Sequence, residues 1–133
     1  MSKHLIVRAE IERADLSIED ASAWAKRLCA KLKTEPLPTI SFAESETHFA
    51  LMCLITDLGH IALTIHKQSK VLQLDVCCSK FSVGDVMPFV QEFSPHKMWY
   101  KFIDRSRCIQ EIDNSFRDME YFGKGLSWVW WEE

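Results

Sequence analysis

His60, His66, Asp75, Cys77, Cys78 and Ser79 lie close together in the chain, and all are side chains that do chemistry. An imidazole gains and loses a proton near neutral pH. A thiol donates a proton, and its thiolate is a nucleophile and a metal ligand. With His48 added, the histidines and cysteines suggest a metal centre. No Cys-x-x-Cys or His-x-x-x-His pair supports one, and structural zinc favours such close pairs. No metal ligand is therefore expected. The plainer readings are a hydrogen-bonded strand-end histidine for His66 and small core residues for the cysteines. Trp128, Trp130 and Trp131 are the other group with chemical reach. Their faces can stack on a planar ring or lie against a cation. More often such residues seal a core or a subunit contact.

Strand patterns must position most of these residues. His60 to His66 and Val71 to Cys77 read as two strands joined by a polar turn, Lys67 to Lys70. On the second strand Cys77 shares a face with Asp75 and Ser79, while Cys78 points away. A strand from Thr47 to Thr56 precedes them, after a short one at Thr39 to Phe42. Asp57-Leu58-Gly59 reads as the intervening turn, with glycine supplying a positive φ. Upstream, Lys3 to Glu12 alternates, with Leu5, Val7, Ala9 and Ile11 on one face. Ser17-Ile18-Glu19-Asp20 resembles a capping box, and Ala21, Ala25, Leu28 and Leu32 follow at helical spacing. Pro36 and Pro38 are expected to end that helix and start a connector. Asp85 is expected to cap a second helix, with Pro88 in its first turn and Val86, Phe89, Val90 and Phe93 as its apolar face. Met98 to Ile103 is the last strand, with Trp99 and Tyr100 on alternate faces.

This order predicts an α+β fold, an antiparallel sheet with two helices on one face. Residues 1–105 form that domain. Residues 106–133 make an aromatic-rich extension that packs on the domain or on a partner, with Ile109, Ile112, Phe116 and Met119 as a short helical stripe. The apolar fraction of 47% builds a core, so disorder is not expected. A net charge of −3 with no basic stripe disfavours nucleic acid. No apolar run has the length of a membrane span. Met1-Ser2-Lys3-His4 leads straight into a strand, which predicts no signal peptide. Five cysteines, mostly in strands, read as reduced thiols in a cytoplasmic protein.

The hairpin residues carry a resemblance. Leu63-Thr64-Ile65-His66, followed by a turn and a strand through Asp75, resembles the active-site hairpin of the small bacterial S-adenosylmethionine decarboxylases. That family carries Ser-Glu-Ser-His-Leu-Thr-Ile-His, then a strand ending Asp-(Leu/Val)-(aromatic)-Thr-Cys-Gly. Lys3-His4-Leu5-Ile6 resembles the family's opening strand, and the likeness covers Lys3 to Arg105. In the family a serine becomes a pyruvoyl group that forms a Schiff base with the substrate amine and accepts electrons. A histidine and an upstream serine assist the cleavage, and a cysteine donates the later proton.

The resemblance puts Ile61 at the pyruvoyl serine, His60 at its preceding glutamate and His66 at the processing histidine. Cys53 falls near the processing serine. Isoleucine has no hydroxyl to attack a carbonyl, so no pyruvoyl cofactor is expected. Ser79 stands where the proton-donor cysteine belongs, with Cys77 and Cys78 as neighbours. A second alignment uses Ser45-Glu46-Thr47-His48. Thr47 would then attack its preceding peptide, but Met52 would replace the second histidine. The resemblance implies His66, Cys77 and Cys78 as catalytic candidates and Asp75, Ser79 and Trp99 as substrate contacts. It implies a homodimer that binds an S-adenosylmethionine-like molecule, either as a pseudoenzyme of polyamine biosynthesis or as a lyase or decarboxylase. A protein-interaction module using the tryptophan-rich tail is the alternative from outside the family.

Overall fold

The computed structural model describes residues 3–56, 59–104 and 129–132. In chain order these form β1 (Lys3–Ile11), α1 (Ile18–Lys31), β2 (Pro36–Glu44), β3 (His48–Ile55), β4 (Gly59–His66), β5 (Val71–Cys78), α2 (Val83–Gln91), β6 (Pro95–Asp104) and β7 (Val129–Glu132). The strands make one seven-stranded sheet in the order β2-β3-β4-β5-β1-β6-β7. Every neighbouring pair is antiparallel. This is the expected α+β fold. The stripe at Ile109 to Met119 lies outside the described residues.

Alternation along the strands divides the sheet into two faces. Leu5, Val7, Ala9 and Ile11 of β1, Ile61, Leu63 and Ile65 of β4, and Leu72, Leu74 and Val76 of β5 are buried against the helices. Residues between them form a half-buried face that carries no helix among the described residues. α1 lies over β2 and β3, and α2 over β6. α1 buries Ala21, Trp24, Ala25, Leu28 and Cys29. Burying a residue such as Leu28 contributes roughly 2–3 kcal/mol. Trp24 joins the two helices: its Nε1 donates to the Phe89 carbonyl at 3.0 Å, and its ring meets Phe93 edge-on at 5.8 Å.

The helix ends show where local reasoning needed the backbone. Ser17 caps α1, accepting from the Asp20 N–H at 3.1 Å. Its C-terminus is closed by Lys33 at φ 57° and by the Thr34 N–H donating to the Cys29 carbonyl at 2.9 Å. That is a Schellman-type closure, so the prolines are not what ends the helix. Pro36 instead opens the nine-residue edge strand β2, not a connector. An edge strand tolerates proline, and the register shift between Leu37 and Ile40 absorbs the missing donor. In α2 the cap is Ser82, not Asp85. Asp85 sits at the third helical position and accepts from the Ser82 N–H at 2.9 Å. Pro88 is consequently beyond the first turn, on the exposed side of the helix.

Gly59 has a different reason from the one expected. Its φ is not in the left-handed region; a Cβ here would lie 2.1 Å from the Cys77 carbonyl oxygen. Close approach of β4 to β5, and not turn geometry, requires the missing side chain.

Candidate functional site

The helix-free face carries the histidines of β1, β3 and β4 and the aspartate of β5. β1, β5 and β4 are adjacent, and their register sets His4 opposite Cys77 and Cys77 opposite His60. Asp75 stands on the same face of β5, two residues before Cys77. Its Oδ1 meets Nε2 of His4 at 2.5 Å and Nε2 of His60 at 3.1 Å. The two imidazole rings are 6.1 Å apart and steeply inclined, at 75°. The side chains are 15%, 33% and 36% exposed for His4, His60 and Asp75. Burial alone would raise the Asp75 pKa. The hydrogen bond and field of His4, then those of His60, outweigh it and hold the carboxyl below its ordinary value.

The other end of this face holds a second histidine pair. His48 and His66 are register partners, and their rings stand 4.4 Å apart. Thr47 Oγ1 lies 2.8 Å from His48 Nδ1. Ser45 Oγ accepts from the Thr47 and His48 N–H groups at 3.3 and 3.1 Å, so Ser45 to His48 is the β2–β3 turn. Beside it, Lys67 Nζ reaches Glu44 Oε2 at 2.8 Å.

The residues singled out in the sequence are thus distributed over the molecule. Asp75 and Cys77 fall in the cluster with His60. His66 is at the opposite end of β4 from His60, about 20 Å away at roughly 3.3 Å per residue. Cys78 faces the helices and is buried. Ser79 follows β5 and lines a cavity of about 640 Å³ with Lys3, Lys31, Lys33 and Lys80. Trp99 lies on the open face, with the Arg8 guanidinium carbon 5.9 Å from its ring centre. His4 was missed. Its alternation out of phase with Leu5 and Val7 assigns it to the open face, but only the β1–β5 pairing brings it to Asp75. Its partner is too distant in the chain for spacing to show.

The sheet order and the two helices on one face have a counterpart among solved structures. The fold is that of an adenosylmethionine decarboxylase. The protein matches the crystal structure of the adenosylmethionine decarboxylase from Aquifex aeolicus VF5 with a TM-score of 0.65, over 78% of this chain and 89% of that one, at 10% identity. No protein-family model matches the chain, and no curated protein does. Within this decarboxylase fold, the hairpin of the resemblance is β4 and β5. Ile61, at the position matched to the pyruvoyl serine, is fully buried on the helix side, between Cys53 of β3 and Val76 of β5.

Proposed function

We propose that the protein is an S-adenosylmethionine decarboxylase-like protein that binds S-adenosylmethionine or a related nucleoside without pyruvoyl chemistry. Ile61 carries the reading. It has no hydroxyl, and it is part of the packed core, with 0% exposure. A chain with this fold and no self-processing residue there is suited to sensing the ligand or to regulating an active enzyme of polyamine synthesis. The open face supports ligand binding. It offers a carboxylate at Asp75, which attracts a sulfonium cation.

The same face supports a homodimer. Leu37, Met52 and Leu54 are 45%, 46% and 55% exposed there, and a second copy laid on this face would cover them. The described cysteines are free thiols, which fits a reducing, cytoplasmic setting.

Ligand binding is tested by thermal unfolding with S-adenosylmethionine and with methylthioadenosine. Ligand at a hundred times its Kd stabilises by about 2.7 kcal/mol. No shift with either would overturn the ligand. Release of methylthioadenosine and homoserine lactone would make the protein a lyase. Denatured mass spectrometry should give one intact chain. One observation favours a second reading: the Thr47 hydroxyl has a base within 2.8 Å, His48 Nδ1. Two fragments divided between Glu46 and Thr47 would make the protein a self-processing decarboxylase.

A further inference from the structure

We propose that His4, His60 and Asp75 form a binding site for one divalent transition-metal ion of the zinc class. The inference does not rest on the S-adenosylmethionine reading. Each residue offers one donor atom, and the three donors lie within 4.8 Å of one another. Two imidazole nitrogens and one carboxylate oxygen are a donor set that zinc and its neighbours prefer.

The geometry supports the site in three ways. First, both histidines converge on the same oxygen, Asp75 Oδ1, at 2.5 and 3.1 Å. The convergence sets three donor atoms at the corners of a triangle no more than 4.8 Å on a side. Donors bound to a tetrahedral zinc at about 2.1 Å stand about 3.4 Å apart. The two nitrogen–oxygen edges, at 2.5 and 3.1 Å, come to that length by small side-chain rotations.

Second, His4 on β1 and His60 on β4 flank β5, so their nitrogens reach Asp75 from either side. Third, the ligands stand on three hydrogen-bonded strands inside the sheet, β1, β5 and β4. The backbone spacing is therefore fixed before any ion arrives, and ordering costs little. All three side chains are partly shielded without being closed off. The fourth position is left to water or to a bound ligand, the arrangement of an open zinc site.

The experiment uses the full chain, stripped with a chelator and titrated with Zn(II) in a calorimeter. One equivalent per chain is expected, and Co(II) should give the visible absorption of a low-coordinate site. H60Q and D75N should each weaken zinc binding by about 100-fold or more, and should abolish zinc-induced stabilisation against heat. H48A, at the other end of the same face, should leave binding unchanged. Binding only weaker than about 1 mM overturns the site. So does binding that survives H60Q and D75N, or that H48A removes. If H60Q and D75N do not fold, the wild-type protein decides. Zinc should protect His4 and His60 from acylation by diethyl pyrocarbonate, read by peptide mass spectrometry, and equal labelling with and without zinc overturns the proposal.

Discussion

At the scale of single residues, Gly59 is the position where one methyl group matters most. A Cβ would meet the backbone oxygen of Cys77 at 2.1 Å, and neither strand can move alone. Gly59→Ala is expected to cost about 2–3 kcal/mol, read as a lower midpoint in urea. Because Gly59 precedes His60, and Cys77 lies between His60 and His4, the same change should disturb the imidazole–carboxylate cluster. The thiols make a separate prediction. Burial, reinforced by the fields of Cys53 and Cys78 and a hydrogen bond with Cys53, pushes the Cys29 thiol up to about 12. Burial also raises Cys53, against a smaller opposing hydrogen bond. Both should resist iodoacetamide at pH 8 until the protein is unfolded, as peptide mapping will show. Asp75 sets an acid limit. Its folded pKa is below the ordinary carboxylate value, so its contribution is present above that value. The contribution is lost as pH falls below about 4 through the folded pKa. Asp75→Asn should therefore flatten the stability profile below about pH 4. The side chain is 36% exposed, so solvent screening keeps the effect modest.

At the scale of elements, most of the secondary structure was written in local pattern. β1 and β4 were legible because alternation puts every second residue into one core. α1 was legible because Ser17 is a good cap, and Ser17→Ala should cost about 1 kcal/mol in thermal or chemical unfolding. Trp24 escaped notice as a core residue, since its burial depends on α2 supplying the Phe89 carbonyl. β2 was missed over much of its length because Pro36 and Pro38 read as breakers, and only its edge position makes them acceptable. The candidate site was half legible. Alternation put Asp75 and Cys77 on one face. The pairing of His4 with Asp75 depends on β1 entering the sheet between β5 and β6, and no short-range signal in the chain records that choice. The separation of His66 from Cys77 was legible by contrast, because a hairpin that turns at Lys67 to Lys70 sets His66 opposite Val71 and leaves Cys77 at the far end.

At the scale of the whole molecule, one face of the sheet is covered by helices and the other carries none among the described residues. If the open face pairs two copies, replacing Met52 and Leu54 by aspartate should convert a dimer to a monomer in light scattering, without loss of the fold. Both side chains are largely exposed, at 46% and 55%, so the isolated chain loses little by the change. A monomer mass for the unaltered protein at high concentration would remove the premise. The sheet order has a further consequence, in time. β1 is made before the other described strands, yet both of its neighbours, β5 and β6, come much later in the chain. β2 to β5 form a meander of sequential neighbours that can pair as soon as each strand emerges. β1 has no such partner, and at 5–20 residues per second it waits roughly 3–12 s for β5. Its insertion closes the longest loops in the fold, the step that topology makes slow. His4 travels with it. On the ribosome, the imidazole that completes the cluster around Asp75 therefore arrives only when the nascent chain has committed to its final topology.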